Sequence, residues 1–433
     1  MKTASTRIYN ERSGVAVERI ALENGLVVLV APMEGYSGVH AVFGTNFGSV
    51  DRAFRKQGTS FELPAGIAHF LEHKMFENEE GDAFTLYAKT GASANAFTGF
   101  DRTCYVFTAT QNIDASLDIL LSFVSRPYFT KETVEKEQGI IGQEIKMYDD
   151  SPDWRMMFAL LQSAYHCCPV RDDIAGSVDS IAKITPELLY ACTDAFYTPG
   201  NMVLAVAGNI TKEQVLAAVE RAELRPAAAP AEKLPAQEPA GIVRSHYEFE
   251  MSVAQPMFGI IFKEAPWNES ERFRKDIICD LITELICGEM TPLFRRLYDE
   301  GLINSEFAGE VGSGVGYNCI MFSGETSQPD RVREELLREI RRLKTEGIAE
   351  EDFELCRNLL YGEAVGDLES IESVATTLAG CEMRNAGFFE QLETLANLTR
   401  EEVQQTLQSL LREEDSATVQ IRPTAKKGDE SAW

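Results

Sequence analysis

Two histidines and a glutamate fall within five positions of this chain, in the stretch HFLEH: His69, Glu72 and His73. The other 428 of its 433 residues hold only three more histidines. Imidazoles bind transition metals, and carboxylates both bind metals and move protons. On a helix, His69 and His73 lie one turn apart on the same face and can reach one zinc ion. Glu72 stands beside them, where it can act as a base toward water. The order reverses HExxH but gives a similar geometry. The competing reading is a pair of histidines on an exposed helix. Histidine is scarce here, and Ile67, Phe70, Leu71, Met75 and Phe76 flank the pair with apolar surface. Both features favour a buried helix, in which such a pair needs a partner.

Catalytic zinc takes three protein ligands, so a third is required. His40, His166 and His246 stand in dissimilar contexts and read as structural. A carboxylate is the better candidate. The stretch KETVEKEQGIIGQEIKMY, residues 131–148, reads as a helix with Thr130 as N-cap. Glu137 and Glu144 are two turns apart on one face, with Ile141 between them. Carboxylates on an apolar face need a cation or a donor. A solvated acidic stripe is the alternative, and it suits Glu132 and Glu135 better. Gly139 and Gly142 weaken this helix, and the expected reason is close approach of the HFLEH helix. That helix is expected over about 64–77, with Pro64 in its first turn.

The elements that must position these residues follow a repeated order. A Pro- and Ala-rich run, RPAAAPAEKLPAQEPAG, falls near the middle. It divides the chain into 1–225, a linker 226–241, and 242–433. Each half opens with strand-like runs, LVVLVAP and SGVHAVFGTNFG in the first and MSVAQPMFGIIFKEA in the second. A helix, a further strand-like run and long amphipathic helices follow. The long helices are expected over 114–148 in the first half, and over 329–347 and 350–366 in the second. The parallel order suggests an internal duplication. The fold class is α+β: two homologous α/β domains, each an antiparallel sheet packed with helices on one side. The second half lacks the histidine motif.

Composition is globular, with 44% apolar and 25% charged residues. The formal charge is 41 − 68 = −27, which argues against nucleic acid and an anionic membrane surface as partners. No run approaches the roughly 18 apolar residues of a membrane span. The N-terminal stretch has no apolar core of a secretory signal. The nine cysteines include no CxxC pair, and they read as reduced thiols of a cytoplasmic protein. The adjacent Cys167 and Cys168 read as inert.

Four stretches resemble one family, the pitrilysin/insulinase-type inverzincin metallopeptidases. HFLEH matches its HxxEH motif, and Glu144 follows 71 residues after His73, at the family's ligand spacing. The six residues between Glu137 and Glu144 also match. GASANAFTGFDRTCY is similar to the family's substrate-binding edge strand, and FYTPGNMVLAVAGNI to the close of its first domain. The resemblance is strongest with bacterial processing-peptidase-like subunits that bind one zinc. It implies a clamshell of the two domains around an enclosed chamber. His69, His73 and Glu144 would hold one Zn2+ per chain, with Glu72 as general base and Glu137 orienting a histidine from behind. Ala94, Asn95, Ala96 and Phe97 would form the edge to which a peptide substrate adds as a strand. Active members also carry an Arg and a Tyr in the second half. Here Asn318 falls near the Arg position, and Tyr317 is a weak substitute for the Tyr. The resemblance therefore implies a dimer, including a hetero-dimer with a homologous subunit supplying the Arg/Tyr pair. Two functions remain open at this point. One is a zinc endopeptidase acting on short or unfolded peptides. The other is a non-catalytic peptide-binding or scaffold subunit that retains zinc within a heteromeric processing complex.

Overall fold

The computed structural model describes residues 3–424 apart from 80 and 223. The apolar runs form strands because their side chains are buried at successive positions. Val39–Thr45 and Met202–Gly208 are buried at every residue, and Met257–Glu264 at all but the last. Such strands need cover on both faces of their sheet. The chain meets this need with two compact units. The first gathers residues up to Ile145 together with Asp172–Pro235 and Tyr361–Glu393; the second takes the remainder.

In the first unit, seven strands run in the order Thr3–Tyr9, Ala16–Leu22, Val27–Pro32, Met202–Gly208, Val39–Thr45, Thr103–Ala109, Ser93–Thr98. Neighbours are antiparallel except Val27–Pro32 with Met202–Gly208. On one face, Tyr105 and Phe107 pack against Phe123 and Tyr87, from the helices Ile113–Ser125 and Ala83–Thr90. On the other face lies the helix Ile371–Met383. A Cβ built on Gly44 would stand 2.3 Å from the tip of Met383.

The second unit holds five strands in the order His246–Met251, Ser416–Pro423, Met257–Glu264, Tyr317–Glu325, Ala308–Gly314. One pair, His246–Met251 with Ser416–Pro423, is parallel. Phe258, Ile260 and Phe262 share a buried cluster with Ile282 of the helix Glu269–Cys287 and Leu336 of the helix Pro329–Glu346. Gly259 faces the other way, under Met156 and Leu160 of the helix Pro152–Ala164.

Four differences from the sequence reading follow. One boundary between the units falls inside 226–241, between Pro235 and Ala236, but residues 146–171 join the second unit and 361–393 the first. Both sheets are covered on two faces rather than one, each by a helix from the other half of the chain. Each sheet is mixed, with one parallel pair among antiparallel ones.

The linker, fourth, is structured rather than loose. Glu232–Lys233 pairs with the strand Ala53–Lys56. Further on, the Glu238 carboxylate accepts the backbone N–H groups of His166, Cys167 and Cys168 and the Lys263 ammonium, all at 2.7–2.8 Å. Burial works to raise the Glu238 pKa, but these donors bring it down to about 2. Eight of the cysteines are buried and Cys167 is exposed. Among the described residues, no helix is long and apolar enough to cross a membrane.

Candidate metal centre

The HFLEH segment forms the helix Ile67–Met75, three residues shorter at its start than expected. Gly66 precedes it at φ +86, and a Cβ there would lie 2.3 Å from the Ala175 carbonyl oxygen. Gly176 answers it at φ +76, with its own Cβ position 2.6 Å from the Ala65 carbonyl. Two glycines in the left-handed region thus let the loop at 175–176 seat the start of the helix. The close approach expected at Gly139 and Gly142 is absent, since a Cβ at either meets no atom within 4 Å. Every residue of the Ile67–Met75 helix except His73 is buried.

The acidic helix runs over Lys131–Asp149, and Thr130 caps it through the Thr133 N–H at 3.2 Å. It is separate from the helix Ile113–Ser125, so the span expected over 114–148 is two helices.

His69, His73 and Glu144 converge. One ligand atom from each lies within 4.8 Å of the others. His69 Nε2 stands 3.6 Å from Glu144 Oε1, and His73 Nε2 stands 3.4 Å from Glu144 Oε2. Tetrahedral zinc with bonds of about 2.0–2.2 Å places neighbouring ligand atoms roughly 3.3 Å apart. These two separations, each to a different Glu144 oxygen, lie near that figure and are longer than those of ordinary hydrogen-bonded pairs. Two imidazoles and one carboxylate are also a donor set that zinc accepts.

Glu137 lies behind the centre, nine-tenths buried. Its Oε1 is 3.1 Å from His73 Nδ1. That contact turns the opposite ring nitrogen toward Glu144. Burial disfavours the charged His73 ring, but the Glu137 bond and the carboxylates of Glu144 and Glu72 outweigh it and raise its pKa. His69 Nδ1 is buried without a hydrogen-bond partner among the described residues.

Glu72 is buried beside the pair. Its Oε2 accepts the Thr98 hydroxyl at 2.5 Å. Burial raises its pKa above the usual carboxylate range, against the lowering effects of Thr98 and the two imidazoles. A cavity of about 670 Å³ opens next to Glu72 and His73, lined in part by Phe76, Phe84, Asn95, Ala96 and Ile140.

Among the described residues, Ser93–Thr98 is the terminal strand of its sheet and pairs only with Thr103–Ala109. Its burial alternates: Ala94, Ala96 and Thr98 are half-buried, while Ser93, Asn95 and Phe97 are exposed. Asn95 Oδ1 accepts the Ala96 N–H at 2.9 Å.

The other histidines stand apart from this cluster. His40 meets Thr108, and burial lowers its pKa. His246 meets Thr418. Asn318 is fully buried, with its amide donating to the Ala265 carbonyl, and Tyr317 is 3% exposed. Neither can stand in for a substrate-contacting Arg or Tyr. Thr98 is the site residue that had no role assigned from sequence. Its only signal was its place at the end of the NAFT run.

Comparison with known proteins bears on this arrangement. Residues 56–177 match the family profile described as Insulinase (Peptidase family M16), and residues 183–360 match the one described as Peptidase M16 inactive domain. The crystal structure of an M16-like peptidase from Alicyclobacillus acidocaldarius superposes with a TM-score of 0.90 at 33% identity, covering 98% of this chain and 99% of that one. The beta subunit of a mitochondrial-processing peptidase from Arabidopsis thaliana is 26% identical over 49% of this chain and 42% of its own. An uncharacterized zinc protease of Bacillus subtilis, YmfH, is 37% identical over 89% of this chain and 92% of its own length. On likeness of this extent, the chain belongs to the insulinase family of peptidases, M16.

Proposed function

We propose that this chain is a zinc-dependent endopeptidase that hydrolyses short or unfolded peptides. The convergence of His69, His73 and Glu144, with ligand atoms within 4.8 Å of one another and Glu72 beside them, carries the reading. The zinc proteases among its relatives support it. His69, His73 and Glu144 would hold one zinc ion. Zinc bound there would supply a Lewis acid that polarises a carbonyl and makes water more acidic.

The rest of the work falls to side chains and backbone. Ala94, Asn95, Ala96 and Phe97 present a free strand edge, to which a peptide adds through its main chain. This mode reads backbone and tolerates many sequences, and an unfolded peptide is extended enough to use it. Glu72 Oε1 takes the proton of the attacking water and returns it to the leaving amine. Glu137 holds the His73 ring in one orientation throughout.

Replacing Glu72 with Gln tests the reading. Hydrolysis of an unfolded peptide should fall by about 10²–10⁴-fold, the usual worth of a general base, with zinc content unchanged. Cleavage at the wild-type rate in that variant would sink the mechanism.

A second reading, a peptide-binding subunit that works with a homologous partner, is favoured by the burial of Asn318 and Tyr317. The relation to a processing-peptidase subunit supports it too. On this reading the zinc-loaded chain cleaves nothing alone or with such a partner. On the first, a partner that supplies an Arg and a Tyr raises a rate already present.

A further inference from the structure

We infer that Thr98 is a positioning residue for Glu72: its hydroxyl ties one carboxylate oxygen and leaves the other for proton transfer. This rests on the hydrolase reading above and goes beyond it. A threonine hydroxyl has one proton to give. Two acceptors are near Thr98 Oγ1, namely Glu72 Oε2 at 2.5 Å and Thr103 Oγ1 at 3.4 Å. Thr103 is fully buried, and its own proton goes to the Phe47 carbonyl at 2.9 Å. The short distance therefore assigns the Thr98 proton to Glu72, as a charge-assisted bond.

The placement of Thr98 gives this bond its purpose. Thr98 is the last residue of the terminal strand Ser93–Thr98, and Thr103 is its cross-strand partner. The strand that offers its edge to a peptide backbone is thus the strand that holds the base. Without the tether, Glu72 is referenced only to its own helix, through a side chain with three rotatable bonds. With it, the carboxylate and the docking edge share one frame. The β-branch of Thr98 stiffens that frame, because its χ1 has few allowed wells. Glu137 fixes His73 in the same manner from the other side. His73 and Glu72 are then each held by one dedicated contact.

The test compares Thr98→Val, which keeps the shape and removes the hydroxyl, with Thr98→Ser, which keeps the hydroxyl. For each, kcat and KM on an unfolded peptide and zinc per chain are measured, and metal-free Thr98→Val is crystallised. The valine variant should lose at least about tenfold in kcat, the scale of one hydrogen bond to a charged group. Its KM and zinc content should not change, and serine should recover most of the loss. In the crystal, the Glu72 carboxylate should leave its position while His69, His73 and Glu144 stay. A wild-type kcat in Thr98→Val, a serine variant as slow as valine, loss of zinc, or an unmoved Glu72 would each overturn the tether. Cleavage that survives Glu72→Gln in the chain with Thr98 intact would instead overturn the hydrolase reading. The position of Glu72 in the crystal would then still decide the tether.

Discussion

Two residues of the centre are each held by a second one. Glu137 sets His73, Thr98 sets Glu72, and Glu144 spans both histidines. Metal sites built this way lose little to reorganisation when the ligand set closes. Burial raises the pKa of Glu72, whereas at His73 the neighbouring carboxylates outweigh it. Burial also acts at Glu264 in the second unit. That carboxyl accepts the Leu411 N–H at 2.8 Å, and burial lifts its pKa from 4.5 to about 7. The folded state therefore holds a proton that the unfolded state releases. Stability from this group is complete below about pH 4.5, falls as pH rises toward 7, and is lost above it. The size is on the order of 3 kcal/mol. Denaturant unfolding between pH 4.5 and 8 should show this decline in the wild type, and Glu264→Gln should flatten it. Equal slopes in both proteins would contradict the assignment. The spacing of His69, Glu72 and His73 was readable in sequence because helix periodicity fixes it locally. Spacing alone left Glu137 and Glu144 equal, and the family resemblance separated them. Thr98 was not readable, because its bond joins a strand to a helix 26 residues away in the chain.

At the scale of elements, glycines decide where backbones meet. Gly66 and Gly176 do so, with left-handed φ and no room for a Cβ. Gly139 and Gly142 were the ones expected, and a Cβ at either meets no atom within 4 Å, although Gly142 is buried. Sequence could not rank these four, since a helix-interior glycine and a cap glycine differ only in what lies opposite. The contrast gives paired expectations. Gly139→Ala should raise stability by up to about 1 kcal/mol, since alanine favours a helix and meets nothing. Gly66→Ala should destabilise and weaken zinc retention, because it strains the start of the helix that carries both histidines. Thermal unfolding and metal analysis of the two variants check this. A neutral Gly66→Ala would show that the loop at 175–176 yields freely. The strands and long helices were legible from their periods. The added helix on each sheet was not, because nothing local says which half of the chain a helix will cover.

At the scale of the whole molecule, the two units exchange segments across the middle of the sequence. The helix Pro152–Ala164 lies before the linker yet packs on the second sheet, and Ile371–Met383 lies after it yet packs on the first. Chains cut at the linker should thus leave a bare apolar face on each sheet. Residues 1–235 alone should aggregate, and adding residues 361–393 should improve solubility. Well-folded, soluble 1–235 by NMR would contradict this. The zinc reading depends on the first unit only, since all the candidate metal ligands lie in it. The most direct test is anomalous diffraction at the zinc edge from crystals of the zinc-loaded chain. One peak per chain is expected, about 2.0–2.2 Å from His69 Nε2, His73 Nε2 and a Glu144 oxygen. A fully loaded crystal with no peak at that point, or with its peak elsewhere, would contradict the zinc reading.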